Sequence, residues 1–403
     1  MATRNADERG VPDGLDAEGD GGSVEGRLGV QSVIVPYEPR YRSGMIALWH
    51  RQFGEWSTRR IVRHWNWQFE SNPFVTQRPP RLFVVVSERS DEVVGTLVAW
   101  PIPLRFQGRT IVTLCGGALA LDAPYRGTCV DLTRRLVTSV PALAGGLHPS
   151  VRAIVKRFGF QYVPGTTRRF ILRLRNDGER ARRMRRRLRR SMTHLATPGS
   201  VSWLPRGRFA RSLPATQRMP TCKHSADIRS LDRFDARYDE LWARVSRTIP
   251  CTIERTSEYM NWRHVDCPTE MSFRRGVFEN GVLRAVAVGV NHVENDWTAS
   301  PCVVHGEITE LIADVPDSPG VEALLTTLLQ YLDRRSCDTI ASLGLHPTHH
   351  AMLRKLGFVD VEDERYAMVA NPSSDPNHSV DLLSEADWYV SAADSDALYA
   401  SAI

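Results

Sequence analysis

The sequence predicts an α/β protein made of two tandem copies of one domain, each a mixed, mostly antiparallel sheet flanked by helices. Three observations carry this. Asn-Trp followed after five residues by Pro occurs as Asn66-Trp67 to Pro73 and again as Asn261-Trp262 to Pro268. Gly-Leu-His-Pro followed after nine residues by Gly-Phe runs from Gly146 to Phe160 and again from Gly344 to Phe358. The two signatures keep their order and separation, Asn66 to His148 being 82 positions and Asn261 to His346 being 85. Chance does not preserve motifs, order and spacing together.

With 403 residues, two copies of such a domain leave room for a buried core in each. The predicted layout is a disordered leader at 1–30, a first domain at 31–176, a basic helical linker at 177–224, a second domain at 225–371 and an acidic tail at 372–403. The leader is rich in Gly, Asp and Glu and has no hydrophobic period. The tail is expected to be loose, although Leu382, Leu383 and Trp388 offer apolar anchors. Hydrophobic residues at 42% and charged residues at 24% are ordinary for a soluble globular protein. The seven cysteines form no CxxC pair and no zinc spacing, which points to free thiols in a reduced, cytoplasmic setting. There is no 18-residue apolar run and no signal-peptide core, so no membrane span is expected.

In the first copy, Val33–Val35 reads as a strand stopped by Pro36, and the apolar spacing of Met45, Leu48, Trp49 and Phe53 predicts a helix. Ile61, Trp65 and Phe69 mark a second helix. The β-branched runs 82–87 and 93–100 form a hairpin, and 111–121 is a strand after the Gln107-Gly108 turn. A helix over 128–140 and a short strand near Ala142 follow. The helix 149–158 has Pro at its start and Gly159 at its end. Strands at 160–163 and 169–174 are expected to close the copy. The second copy repeats this order: a strand at Ile228, helices over 235–245 and 255–264, strands 273–278 and 283–292 around the hairpin turn Asn280-Gly281, a strand over 303–313, a helix over 321–332, a strand over 339–343, a helix over 347–356 and two final strands.

Between the copies, the arginines from Arg180 to Arg190 surround Ala181, Met184, Leu188, Met192 and Leu195, which are three and four apart. This predicts a helix with one apolar stripe and otherwise basic faces. Weak, salt-sensitive contact with an anionic membrane surface or polyanion is expected of it. No aromatic residue is interleaved, which argues against base stacking, and no specific nucleic acid is expected.

The element order resembles the GNAT acetyltransferase fold. The residues that carry the resemblance are Trp65-Asn66-Trp67-Gln68-Phe69 with Asn72-Pro73, similar to GNAT-like proteins associated with polysaccharide or envelope genes, then Val94-Gly95-Thr96-Leu97, Pro101-Ile102-Pro103-Leu104, Ala123-Pro124-Tyr125-Arg126-Gly127 and the two Gly-Phe pairs. The resemblance implies transfer of an acyl group, acetyl first among them, from an acyl-coenzyme A to a small-molecule amine such as an amino sugar or envelope precursor. It also implies that the backbone of Tyr125, Arg126, Gly127, Thr128, Cys129 and Val130 holds the coenzyme. A strand that turns tightly into a helix directs several N–H groups at one point, and the helix dipole adds positive potential suited to pyrophosphate. Cys129 and Asp131 depart from the small residues of the family pattern, and Asp131 brings negative charge. Copy two, with Asp317-Ser318-Pro319-Gly320-Val321-Glu322, keeps one glycine and no arginine, so copy one is the better coenzyme site.

For proton transfer, Asp122 ends the central strand of copy one, and Glu307 and Glu310 lie on that of copy two. The family's tyrosine donor is replaced by Val155 and Leu353. His148 and His346 stand near the coenzyme arm, or serve as helix caps. Cys129 reads as a small substitute for glycine, since no nucleophilic triad can be assembled around it. His346, His349 and His350 have ligand-like spacing but no second cluster, so no metal is expected. The altered loops also admit a second reading, a catalytically silent tandem scaffold that binds a ligand or partner.

Overall fold

The computed structural model describes residues 31–53, 57–137, 142–145, 147, 149–174, 219–221, 224–268, 272–294, 303–364, 367–371 and 384–394. The leader, the arginine-rich stretch 180–190, His148 and Gly146 lie outside the described residues.

The first copy comprises β1 (Ser32–Pro36), α1 (Arg42–Phe53), α2 (Thr58–Trp65), a π-helical stretch (Asn66–Glu70), β2 (Arg81–Ser87), β3 (Val93–Phe106), β4 (Arg109–Leu121), a 3-10 turn (Ala123–Thr128), α3 (Cys129–Val137), β5 (Ala142–Gly145), α4 (Pro149–Lys156), β6 (Gln161–Tyr162) and β7 (Arg168–Arg173). The second has β8 (Asp227–Ser230), α5 (Ala236–Val245), β9 (Cys251–Ile253), α6 (Ser257–His264), β10 (Phe273–Glu279), β11 (Val282–Glu294), β12 (Val303–Ala313), α7 (Pro319–Arg334), β13 (Thr339–Leu343), α8 (His350–Lys355), β14 (Val359–Glu362) and β15 (Met368–Asn371). A short strand β16 (Trp388–Tyr389) follows. The hairpin turns form where Gln107-Gly108 and Asn280-Gly281 allow positive φ at both central residues, 50° and 75° in one and 51° and 79° in the other.

The strand β3 continues beyond its predicted end through Pro101 and Pro103. Both prolines pair across to β4, with Leu114 and Val112. Their carbonyls face away from it and accept from Asn72 Nδ2 at 3.0 Å and the Glu254 N–H at 2.7 Å. That side needs acceptors only, so the missing N–H groups leave nothing unpaired. β9, which the periodicity did not predict, adds to β3 at Leu104↔Ile253 and Arg105↔Thr252.

The described strands form two sheets, and each copy sends its last strand into the other. β7 lies between β13 and β14, antiparallel to both, while β15 lies between β5 and β6. The expectation that 169–174 closes its own copy is corrected: this strand closes the second sheet. Its alternation fits a buried strand, and one ion pair fixes which sheet. Phe170 and Leu172 are fully buried, and Arg169 on the same strand pairs with Glu307 at 2.9 Å. The two strands pass at Thr166, whose hydroxyl donates to Val163 O and accepts from the Met368 N–H.

The repeated tryptophans meet at the junction. Trp67 and Trp262 stack with centroids 4.8 Å apart and planes 15° apart. Each indole N–H donates to the other's backbone carbonyl, Trp67 Nε1 to Trp262 O at 2.7 Å and Trp262 Nε1 to Trp67 O at 3.0 Å. The π-helical stretch carries Trp67 into this position. A chain cleaved at a protease site placed within 177–224 is expected to stay one particle on size exclusion, because parting the halves means drawing a strand out of each sheet. Halves that separate without denaturant would count against this.

Candidate functional site

In each sheet, the central strand runs parallel to its neighbour for three residues and then has no further ladder partner on that side. β4 pairs with β5 only at Leu114↔Ala142, Cys115↔Leu143 and Gly116↔Ala144. β12 pairs with β13 only at His305↔Thr339, Gly306↔Ile340 and Glu307↔Ala341. A bulge bends each central strand just beyond, opposite the Thr96–Val98 step in one and the Val288–Gly289 step in the other. Ala118 sits in the first bulge at φ 46°. The result is a gap between strands in both copies.

The two gaps differ in what fills them. In the first, Gly116, Ala118 and Leu119 are partly exposed. In the second, residues 306–313 are all buried, and a segment from beyond the second copy occupies the space. Tyr389 Oη accepts from the Leu311 N–H at 3.0 Å and donates to Glu310 at 2.9 Å. Leu345 N–H donates to Val390 O at 2.6 Å. The tail expected to be loose is therefore packed over 384–394, with Trp388 among its buried anchors.

The predicted coenzyme loop follows β4 directly. Tyr125 hydrogen-bonds Ser87 Oγ at 3.1 Å, and Thr128 Oγ1 donates to Tyr125 O at 2.8 Å, so the turn is braced from within. Arg126 and Gly127 are exposed, Thr128 and Val130 half-buried. A Cβ at Gly127 would meet no atom within 4 Å, so open space lies before the backbone there. Cys129 is half-buried, and burial pushes its thiol up, which disfavours a thiolate. Asp131, whose charge opposes an anion at this helix start, pairs with Arg134 at 2.8 Å. In copy two, Pro319 lacks an N–H, the Val321 N–H is taken by Ser318 Oγ, and Glu322 pairs with Lys355. That helix start has little left for an anion.

The predicted carboxylates fall in two places. Asp122 follows the unpaired stretch of β4 and accepts from Arg51 at 2.9 Å and Gln52 at 2.7 Å. Glu307 is buried against Arg169; burial pushes its carboxyl up, while that guanidinium pulls the other way. Glu310 is wholly buried in a network that the sequence reading missed. Arg255 Nε lies 2.9 Å from Glu310, and its Nη2 lies 2.7 and 2.6 Å from the two Asp394 oxygens. Ser391 Oγ donates to Glu310 at 3.1 Å, and His264 Nε2 lies 3.5 Å away. Despite its burial, the nearby guanidinium holds the Glu310 carboxyl well below the usual range. Burial pushes His264 down and keeps it neutral. Isolated polar residues such as Arg255 and Asp394 carry no spacing signal, which is why periodicity could not find them.

The histidines have separate partners. His346 Nδ1 accepts from Thr348, capping the turn as expected, and its Nε2 donates to Ala386 O at 2.9 Å. His350 Nε2 donates to Gly344 O, and burial lowers His349 to about 3. Among the described residues no three side chains are grouped to hold a metal. No described helix is long and apolar enough to cross a membrane.

Arg255→Met would leave Glu310 and Asp394 buried together without a cation, and is expected to destabilise the protein by about 3–5 kcal/mol at neutral pH. With that cation gone, the folded-state Glu310 carboxyl should rise above its unfolded value, and that of Asp394, already raised by burial, should rise further. Stability from raised groups is lost as pH rises, so the deficit should shrink between pH 7 and 5. Urea unfolding at both values checks this; an equal deficit would show that charge pairing is not what Arg255 supplies.

No family model matches the sequence, and no curated protein matches it. Among solved structures, the fold is similar to Saccharomyces cerevisiae N-myristoyltransferase with bound myristoyl-CoA, at 11% identity over 90% of this chain and 85% of that one, with a TM-score of 0.50. It is also similar to a GCN5-related N-acetyltransferase from Anabaena variabilis, at 10% identity over 84% and 72%, with a TM-score of 0.51. Likeness at this level speaks for architecture, and with the two sheets described above it gives the chain a tandem GNAT-like fold.

Proposed function

We propose that the chain is an acyl-coenzyme A-dependent N-acyltransferase with one coenzyme site, in the first copy. The observation that carries this reading is the contrast between the gaps: the first is partly exposed beside a braced turn, and the second is filled by the chain itself. The solved neighbour that holds myristoyl-CoA supports an acyl-coenzyme A as co-substrate. Acetyl is the proposed acyl group and a small-molecule amine the proposed acceptor, as the sequence resemblance implies. The backbone amides of Arg126 to Val130 and the start of α3 would carry the pyrophosphate, with Tyr125 bracing the turn and Arg134 offsetting Asp131.

The reaction joins the amine nitrogen to the thioester carbon, breaks the carbon–sulfur bond and releases the thiolate, which takes a proton from water. The nitrogen loses its proton to a base. Asp122 is the proposed base, since it follows the unpaired stretch of β4 and Arg51 and Gln52 fix its orientation. His148, outside the described residues, remains a candidate on sequence grounds. Glu307 and Glu310 are left out of the chemistry, being buried and ion-paired in the second sheet. The scaffold reading applies to the second copy alone, whose gap is occupied.

Titration calorimetry with acetyl-coenzyme A and longer acyl-coenzymes should give one site per chain. No binding at millimolar concentration by folded protein overturns the proposal, and two sites overturn the assignment to one copy. Gly127→Glu places a charge where a Cβ meets nothing, so it should weaken binding about tenfold or more without lowering Tm. Asp122→Asn is expected to lower kcat by about 10²–10⁴ while leaving coenzyme affinity intact; unchanged kcat would remove Asp122 from the mechanism.

A further inference from the structure

The segment Ser384–Asp394 lies against the second copy as a ligand lies in a cleft. Its strand β16 adds in parallel to β9, Trp388 to Cys251 and Tyr389 to Thr252. Recognition by strand addition gains affinity from main-chain bonds and specificity from side-chain pockets. Both are present here. The repeated Gly-Leu-His signature supplies much of the main-chain reading: Leu345 N–H donates to Val390 O, and His346 Nε2 donates to Ala386 O. Gly344, at φ 54°, lets the segment approach, since a Cβ there would stand 3.0 Å from Val390 O. Trp388, Tyr389 and Ala393 fill pockets, and Asp394 meets Arg255.

We propose that the strand gap of the second copy is a peptide-binding cleft whose occupant is the chain's own segment Ser384–Asp394, held reversibly. The occupant is set by the contacts just described, and its attachment lies in residues 372–383. Among the described residues only β16 pairs it to a sheet, over two residues; beyond that it is held by the Leu345 N–H to Val390 O bond, by side chains and by two carboxylates, Glu385 facing Arg168 at 3.1 Å and Asp394 facing Arg255. The Asp394 carboxylate carries the main electrostatic term. It faces Arg255 from the loop before α6, Glu310 from β12 and Tyr259 on α6; His264 of α6 and Tyr389 of its own segment lie against Glu310, Arg263 of α6 acts on Tyr259 and His264, and Cys115 Sγ of β4 lies 3.9 Å from the backbone Asp394 O. Burial and the Glu310 charge raise the Asp394 carboxyl above the ordinary range. A raised group favours the bound state below its unfolded value and loses that advantage as pH rises through the folded one. The segment is therefore held more tightly in mild acid than at neutral or alkaline pH.

The test uses the intact protein and hydrogen exchange, with protection corrected for intrinsic rates. The amides of Leu311, Leu345 and Ser391 bond to the segment or within it, whereas Ile340 bonds within the sheet. Protection of the first three should fall together between pH 5 and pH 8, about tenfold for each unit by which the carboxyl is raised, with Ile340 unchanged. Asp394→Asn should remove the dependence. In full-length protein cleaved at a site introduced within 372–383, a labelled Ser384–Asp394 peptide should exchange in, faster at pH 8. Protection that follows Ile340 at every pH, or a labelled peptide that never enters, overturns the proposal and makes the segment a fixed part of the core. Neither readout involves coenzyme, so the result is independent of the acyltransfer reading.

Discussion

In each sheet five strands of one copy, β1 to β5 in the first and β8 with β10 to β13 in the second, end at an edge that the same copy does not close. The neighbour's last strand closes it. Because β7 lies between β13 and β14, and β15 between β5 and β6, neither sheet is complete without the other copy. The exchange also decides where charges go. Arg169 arrives from the first copy to face Glu307, a carboxylate buried in the second sheet. Without the exchanged strand that charge would be buried with no cation supplied by β7, a situation that strongly destabilises a fold.

The exchange brings the Asn-Trp signatures face to face. In an isolated domain Trp67 would present an apolar ring and an indole donor to water. In the tandem its ring stacks and its N–H finds a carbonyl, and the same holds for Trp262. Aromatic pairs of this kind contribute about 0.5–1.5 kcal/mol beyond their burial. A second seam adds to it: Arg105 on β3 forms a two-point ion pair with Glu254 at 2.7 and 3.1 Å, and Trp242 Nε1 and Thr110 Oγ1 donate to the same carboxylate. The copies are thus joined by paired strands, stacked rings and a satisfied buried carboxylate.

Much of this architecture was legible in the sequence, because periodicity reports which face of an element is buried. The hairpin at Asn280-Gly281 and the strand 339–343 match the structure, since backbone turn chemistry and β-branched runs are local properties. The extent of β3 was not legible, because Pro101 and Pro103 break strands unless the far side needs acceptors only, and that depends on Asn72 and Glu254. The exchange of β7 was equally invisible. A strand with Phe170 and Leu172 on its buried face fits either sheet; the choice rests on Arg169 meeting Glu307, 138 positions away. At the candidate site the turn 123–128 begins where the central strand ends, as its residues predict, whereas the sequence offers Glu310 only as a candidate catalytic carboxylate. Its role follows from Arg255, Tyr389 and Asp394, none of which stands at a repeating distance from it.

Repetition of sequence does not imply repetition of use. Both copies have the bulged central strand and the short parallel pairing that opens a gap, so the same backbone geometry occurs twice. What differs is the chemistry at the helix start beyond it. In the second copy Pro319 removes one donor and Ser318 consumes another, while Glu322 is paired with Lys355, so few donors are left there for an anionic ligand. A gap that does not hold an anion must still be filled, since an empty apolar slot between strands loses packing on both walls. The chain fills it with Tyr389 and its neighbours, and the network around Arg255 supplies partners for the carboxylates that this burial encloses. The first copy has no such filling among its described residues; Asp131 there is offset by Arg134, and space is open before Gly127. One pocket geometry thus occurs in two chemical states, filled by the chain itself in one copy and partly exposed in the other.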